Sequence, residues 1–386
     1  MARTFHHVDL KLITPRFDSK LTDLVIDLDY LRKKRIEGTT PYIIFLQLKG
    51  IFHFLESLGS ARIEGNRTTV AEFIETQLEH KLKKEENILE IENMDKAMDF
   101  IDSSIKNSIP IDHAFIRELH KLTVKDLSFP PHGEGDRTPG VYRQGSISIS
   151  GSNHVPPEAV RVQDYMDELI AFINQKDPFK YDLIKAAIAH HRFVWIHPFS
   201  NGNGRTVRLF TYAMLVKQEF HVEQGNRIIN PTAIFCGDRD KYNQLLSFAD
   251  SGKEESILNW CEYVLSGLKQ EIEKIDKLTE YDYLKKEILL PTIIYSLERE
   301  NITELESKIL KKTVEKRIIQ ASDINEFFPN KSPQEISRQI NRLKDKKMLQ
   351  PESQGARKYV IKFGNNVLLR GIIKFLGEKG FLPVKD

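Results

Sequence analysis

The stretch His197-Pro198-Phe199-Ser200-Asn201-Gly202-Asn203-Gly204-Arg205-Thr206-Val207-Arg208 decides how the rest of this 386-residue chain is read. It joins two helical patterns, one from Asp182 to Ile196 and one from Thr206 to Lys217. Pro198 ends the first, because its ring, and the restriction it places on the residue before it, disfavour continued helix. Gly202 and Gly204 permit a tight turn and close approach of a ligand to the backbone. A glycine-rich turn that opens a helix presents unpaired N–H groups and the positive end of the helix dipole, an arrangement suited to phosphate. Arg205 and Arg208, three apart, share a helix face and can clasp one polyphosphate. His197 stands at the lip of that cradle, where an imidazole can accept a proton near neutral pH. The bland alternative, a helix connection that happens to hold a histidine and two arginines, fits poorly with so long a run of special residues.

Outward from this stretch, composition sets bounds. The length allows two or more domains. Hydrophobic residues make up 40% and charged residues 29%, as in ordinary soluble chains. The two cysteines, Cys236 and Cys261, cannot build a disulfide framework and suit a reducing compartment. The N-terminal MARTFHHVDL lacks an apolar targeting core, and no run of eighteen apolar residues occurs, so a cytoplasmic protein without a membrane anchor is expected. The net charge of +2 hides an asymmetry: residues 304–386 carry 18 Lys and Arg against 10 Asp and Glu, with 39 against 45 before them. Such a split points to modules with different partners.

The twelve-residue run resembles the signature of the Fic (Fic/Doc) family, HPFx(D/E)GN(G/K)RxxR, and departs from it only at Asn201. The resemblance implies a mainly α-helical core with a small β-hairpin flap. It also implies transfer of AMP from ATP to a Ser, Thr or Tyr hydroxyl of a target protein, which can be the chain itself. By position, His197 resembles the general base. Gly202, Asn203 and Gly204 resemble the anion cradle, Arg205 the holder of the α- and β-phosphates, and Arg208 the holder of the γ-phosphate. The family's acid at position 201 ligates Mg²⁺; Asn201 offers an amide carbonyl without charge, so weaker metal affinity is expected. Upstream, Ser60-Ala61-Arg62-Ile63-Glu64-Gly65 resembles the family's inhibitory motif, (S/T)xxxE(G/N). It implies that Glu64 pairs with Arg208 and takes the place of the γ-phosphate, with Ser60 on the same helical face.

The remaining pattern is helical over 41–58, with a capping box at Thr69-Val70-Ala71-Glu72 and further helices near 94–103, 112–122 and 253–278. The basic run Arg32-Lys33-Lys34-Arg35 reads as a solvated helix face. His113 and His120 read as surface or core histidines. His190 and His191 face different ways on a helix and complete no zinc ligand set. A Pro/Gly-rich loop over 128–140 precedes alternation at Gly140-Val141-Tyr142-Arg143 and Ile147-Ser148-Ile149-Ser150, expected as a hairpin. By resemblance that hairpin is the flap that pairs with a target backbone; an ordinary surface hairpin is the alternative. Tyr242, in RDKYNQLLSF, resembles a residue near the nucleotide base, and a core tyrosine is equally open. Residues 230–232 mark a loop.

Three organisational regions are expected: 1–110 with the inhibitory motif, 111–278 as the catalytic domain, and 290–386. The last has caps at Thr303 and Ser332, a helix burying Ile336, Ile340 and Leu343, and a strand through Tyr359 and Ile361. This resembles a winged helix–turn–helix, and its basic surplus suits DNA. Such modules also dock proteins or form homo-oligomers. Two rival readings stay open: a DNA-binding regulator whose core only senses nucleotide, and a hydrolase that removes AMP from modified proteins.

Overall fold

The apolar periodicities fold as helices. In chain order these are α1 (Lys20–Lys33), α2 (Tyr42–Ile63), α3 (Val70–Glu79), α4 (Glu86–Lys106), α5 (His113–Thr123), α6 (Val162–Asn174), α7 (Asp182–Ile196), α8 (Asn203–Lys217), α9 (Ala233–Cys236), α10 (Arg239–Ala249), α11 (Glu254–Thr279), α12 (Tyr281–Leu284), α13 (Leu290–Glu298), α14 (Glu304–Lys316), α15 (Pro333–Asp345) and α16 (Leu368–Glu378). The computed structural model describes residues 4–33, 38–79, 85–106, 109–149, 152–219, 233–329, 331–364 and 367–382. Lys34 and Arg35 of the basic run, Ser150 of the expected hairpin and the loop at 230–232 lie outside these residues.

Contacts divide the chain into two compact units. One comprises Met1–Arg35, Glu56–Thr68 and Lys84–Glu273; the other comprises Ile36–Leu55, Thr69–Lys83 and Lys274–Asp386. In the first unit, α7 and α8 pack along each other, and nearly every side chain of both is buried. Both helices are buried on all sides, and their buried charged groups, such as Arg205 and Arg208, are held by partners within the core. One apolar cluster holds Leu119, Met166, Leu169, Phe193, Ile196 and Phe210; another holds Leu28, Ile184, Ile188, Phe235, Trp260 and Leu265. Each such side chain contributes about 1.5–3 kcal/mol by leaving water. The turn at 197–202 is therefore slung between two rigid, buried helices.

The expected hairpin is not formed: residues 141–149 carry no strand. The Arg143 N–H instead donates to the Pro198 carbonyl (2.9 Å), and Val141 N–H closes a turn on Thr138 O. The backbone groups that a hairpin ladder would use are thus spent on the signature turn and on a local turn, which period-two alternation in the sequence cannot reveal.

In the second unit, capping boxes start α14 (Thr303 with Glu306) and α15 (Ser332 with Glu335, Pro333 in the first turn). Helix α15 buries Ile336, Ile340 and Leu343 and leaves Arg338, Arg342 and Lys346 exposed. Strands β1 (Leu349–Pro351) and β2 (Tyr359–Ile361) pair antiparallel, Leu349 opposite Ile361. Gly355 (φ 78°) lies in the turn between them.

Candidate active site

Helix α7 ends at His197, whose backbone is left-handed (φ 51°, ψ 64°) and whose N–H still caps Phe193 O. A non-glycine residue there is strained by about 1–3 kcal/mol and persists only where its surroundings hold it. They do: Arg143 is buried and donates through Nε to His197 O (2.8 Å), and through its terminal nitrogens to Gly145 O, Pro157 O and Ile196 O. The imidazole Nδ1 lies 3.3 Å from Val194 O, so Nδ1 carries the proton and Nε2 keeps its lone pair. Burial pushes the His197 pKa down to about 4, so the ring is neutral at pH 7.

The turn itself is braced from inside. Phe199 is fully buried and stacks on His120, ring centroids 3.7 Å apart. His120 accepts the Gly140 N–H at Nδ1 (2.9 Å) and donates from Nε2 to Asn201 O (3.0 Å), with Asp136 3.6 Å away. Burial lowers the His120 pKa to about 4, against the pull of Asp136. Asn203 closes the loop: its Oδ1 accepts Phe199 N–H (2.9 Å) and its Nδ2 donates to Phe199 O (2.8 Å). The Asn203 amide is therefore spent on holding the turn, and its contribution to an anion cradle is a backbone one. Gly202 caps α8 at φ 72°, and a Cβ there would meet Val124 Cγ1 at 2.7 Å.

At the N-terminus of α8, where the first-turn N–H groups have no intrahelical acceptor, sits the Glu64 carboxylate. A Cβ on Gly204 would meet Glu64 Oε1 at 2.1 Å, so any side chain there would have to displace the carboxylate. Glu64 holds its place because α2 ends there. Gly65 (φ 109°) donates to Arg62 O and Asn66 N–H to Ala61 O, the reciprocal bonds of a glycine-terminated helix. Arg208 donates to Glu64 Oε1 (2.8 Å), to Ser60 Oγ (2.7 Å) and to Ser60 O (2.9 Å). Burial alone would raise the Glu64 pKa, but Arg208 and Arg205 together hold it below the usual carboxylate value. Ser60, Glu64 and Arg208 are thus brought together with Gly204.

Arg205 is fully buried and faces other partners. One terminal nitrogen lies 2.9 Å from Glu90 Oε1; the other donates to Glu134 O (2.6 Å) and stands 3.7 Å from Glu134 Oε2. Burial raises the Glu90 pKa, outweighing Arg205 and the Asn66 amide that donates to it. Tyr242 lies in the core, against Phe235 and Trp260, with its hydroxyl 2.9 Å from His190 Nε2. It also interacts electrostatically with Arg208. His190 Nδ1 also lies 2.7 Å from Thr211 Oγ1, and His191 Nε2 lies 3.0 Å from Asp250 Oδ1.

Asn201 donates its amide N–H to Gly135 O (3.1 Å) and to Glu134 Oε2 (3.4 Å), and its backbone N–H to Asp136 (3.0 Å). Among the described residues its Oδ1 accepts no hydrogen bond, and no three His, Cys, Asp or Glu side chains gather as a metal-holding group. The available donors are hard oxygens, Asn201 Oδ1 and the Glu134 carboxylate. They fit a Mg²⁺ ion that draws its other ligands from phosphate and water. Glu90, Glu134 and Asp136 were not singled out by sequence reasoning, which read His120 only as a surface or core histidine and Arg143 only as part of a hairpin. The tight Gly133-Glu134-Gly135-Asp136 stretch was a signal that the loop has a set shape.

Comparison with known proteins bears on this geometry. A model described as the Fic/DOC family matches residues 110–215. The protein adenylyltransferase Fic of Aedes aegypti is 30% identical over 206 residues, and that of Drosophila willistoni 32% over 208. Each alignment covers 52% of this chain and 37% of the relative, so the chain spans little more than a third of those proteins. Among solved structures, a Fic family protein from Desulfovibrio desulfuricans G20 superposes with a TM-score of 0.54 at 17% identity, covering 92% of this chain and 98% of that one. A Fic-domain-containing signaling protein from Bacteroides thetaiotaomicron VPI-5482 gives 0.52 at 18% identity, over 68% of this chain and 98% of its own. These two likenesses speak to the fold. With a signature turn slung between two buried helices and a family model matching that segment, the chain carries a Fic/DOC family domain over residues 110–215.

Proposed function

We propose that this chain is a protein adenylyltransferase, moving AMP from ATP to a protein hydroxyl, and that Glu64 holds it in an autoinhibited state. The observation that carries this reading is the Glu64 carboxylate lying against Gly204 and paired with Arg208 at 2.8 Å. A carboxylate in that position mimics a phosphate in place and charge, so the triphosphate cannot settle with its terminal phosphate on Arg208. With Glu64 withdrawn, Arg208 is released to the γ-phosphate and Arg205 with the α8 N-terminus supports the inner phosphates.

The reaction then follows from this chain's own groups. His197 Nε2 takes the proton of the target hydroxyl, whose oxygen bonds to the α-phosphorus as the bond to the β-phosphate oxygen breaks. Pyrophosphate departs. The neutral state of His197 leaves the base available throughout the physiological range. Arg143 holds the His197 carbonyl, and with it the strained turn that sets the ring. Asn201 and Glu134 are the residues that would face Mg²⁺. When bound, that ion supplies neutralisation of phosphate charge.

Incubation with α-labelled ATP tests the proposal. Glu64→Gly is expected to raise labelling of protein, in trans or on the chain itself, well above the parent, and His197→Ala in that background to abolish it. Unchanged labelling in Glu64→Gly removes autoinhibition; release of AMP from a modified protein supports the reverse hydrolysis instead.

A second reading concerns the stretch 290–386 of the second unit. The exposure of Arg338, Arg342, Lys346, Arg357 and Lys358 on and beside α15 favours a winged-helix-like module that contacts DNA phosphates.

A further inference from the structure

The signature position that a family acid fills is an amide here, yet the carboxylate is not missing from the site. The loop 128–136 packs onto the signature turn and brings Glu134 alongside Asn201, with Nδ2 of the amide 3.4 Å from Glu134 Oε2. We propose that Glu134 carries the anionic role absent at position 201, and that it and the Asn201 amide oxygen face the divalent cation accompanying the triphosphate. This rests on the nucleotide-transfer reading of the same site.

Three observations support it. The first is that Glu134 is held by a built loop. Gly135 N–H donates to Ser128 O (2.8 Å), and a Cβ on Gly135 would meet Leu127 O at 2.3 Å. Asp136 is buried and takes both Thr138 N–H and Asn201 N–H. The Glu134 backbone carbonyl accepts from Arg205 at 2.6 Å. The side chain is nonetheless 46% exposed, so it is placed and still free to meet a ligand.

The second is the charge around Arg205. Its guanidinium already faces Glu90 at 2.9 Å, while Glu134 Oε2 stands off at 3.7 Å. Arg205 is thus largely matched by Glu90, and Glu134 adds a negative charge at the mouth where phosphates would arrive. A carboxylate held only loosely by Arg205, at 3.7 Å, repels a polyphosphate there; a cation shared between the two turns that repulsion into attraction.

The third is the orientation of Asn201. Its amide nitrogen is committed to two acceptors, Gly135 O and Glu134 Oε2, which leaves Oδ1 on the opposite side with no hydrogen bond among the described residues. The signature turn thus offers one neutral oxygen without a hydrogen bond among the described residues, and the loop against it offers one anionic oxygen, both of the type a hard cation prefers.

The test uses the full chain in a Glu64→Gly background, a non-hydrolysable ATP analogue, and Mn²⁺ as a paramagnetic stand-in whose free signal is titrated. Glu134→Gln is expected to weaken Mn²⁺ binding to the protein–nucleotide complex by about 10-fold or more. It should at the same time leave metal-free binding of the analogue unchanged or tighter, because a repelling charge has gone. Exchanging the two groups, as Glu134→Gln with Asn201→Asp, keeps an amide beside a carboxylate and should restore Mn²⁺ affinity to within a few-fold. If Glu134 merely braces Arg205, Glu134→Gln weakens metal-free nucleotide binding in step and the exchange does not rescue; that result overturns the proposal, as does an unchanged Mn²⁺ titration. The readout is binding, so failure of the Glu64→Gly chain to label any protein would sink the transfer reading while the expected Mn²⁺ pattern still upheld this assignment.

Discussion

At the scale of single residues, the chemistry depends on a few side chains whose state is set by burial and by neighbours. His197 is the clearest case. Burial lowers its pKa to about 4, outweighing the hydrogen bond to Val194 O and the smaller pull of the Glu64 charge. The rate of AMP transfer in Glu64→Gly should therefore stay flat from pH 8 down to about 5 and fall only below that, rather than halving near 6.5. A pH–rate profile checks this; a midpoint near 6.5 would mean the ring is solvated in the working state. Arg143 makes four side-chain bonds to backbone carbonyls around this turn. Arg143→Ala should reduce the turnover number of the Glu64→Gly chain by at least about tenfold with a smaller change in KM for ATP, since it frees the His197 turn without touching phosphate. Steady-state kinetics separates the two parameters. The identity of His197, Arg205, Arg208 and Glu64 as the residues to watch was legible in sequence, because their spacing is peculiar. Glu134 and Arg143 were not, because each acts through a contact with a segment far along the chain.

At the scale of elements, the turn between α7 and α8 is the part that must not move. Asn203 satisfies both backbone groups of the buried Phe199. Asn203→Ala would leave a buried donor and acceptor unpaired, and about 2 kcal/mol or more of stability should be lost. Gly202→Ala forces a Cβ into Val124 at a left-handed φ, with a cost of at least about 1–2 kcal/mol. Denaturant melts of the two variants check both values; a loss under about 0.5 kcal/mol in either would show a turn more compliant than its hydrogen bonds imply. Helix boundaries followed sequence closely where a cap marked them. Asp182–Ile196 is helical throughout, and the capping boxes at Thr303 and Ser332 form as their residues suggest. The hairpin over 140–150 failed because alternation is a statement about one strand. Whether it pairs depends on a partner, and here the Pro198 carbonyl takes the Arg143 N–H.

At the scale of the whole molecule, burial of titratable groups sets how stability depends on pH. His120 and His197 have folded-state values near 4, and burial lowers His154 and His190 as well. Between about pH 6.5 and 4 the unfolded chain binds protons at these sites that the folded chain does not, so stability rises with pH across that window and is fully present above it. Each histidine contributes about 1.4 kcal/mol per pKa unit. Chemical denaturation at pH 7.5 and pH 5 should show a clear loss at the lower value; equal stabilities would mean these rings are not buried as neutral groups. The exposed basic residues of α15 and its neighbouring turn give a second expectation. The full chain should bind duplex DNA with an affinity that falls as salt rises, and Arg338→Ala with Arg342→Ala should reduce both the affinity and the salt slope. Duplex binding that is absent at low salt would assign that surface to another partner.

Local order lies within the reach of the sequence by itself: which segments coil into helices, where caps and glycines end them, and which twelve residues form the turn proposed to hold phosphate. These follow from periodicity, backbone restriction and spacing, all of which act over a few residues. The pairing of Glu64 with Arg208 was implied by the resemblance, but only the tertiary structure decided that Glu90 faces Arg205 and that Glu134 stands beside Asn201. Glu64 reaches Arg208 across 144 positions, and Glu134 reaches Asn201 across 67. Electrostatic partnership depends on distance in space, and folding alone creates that distance.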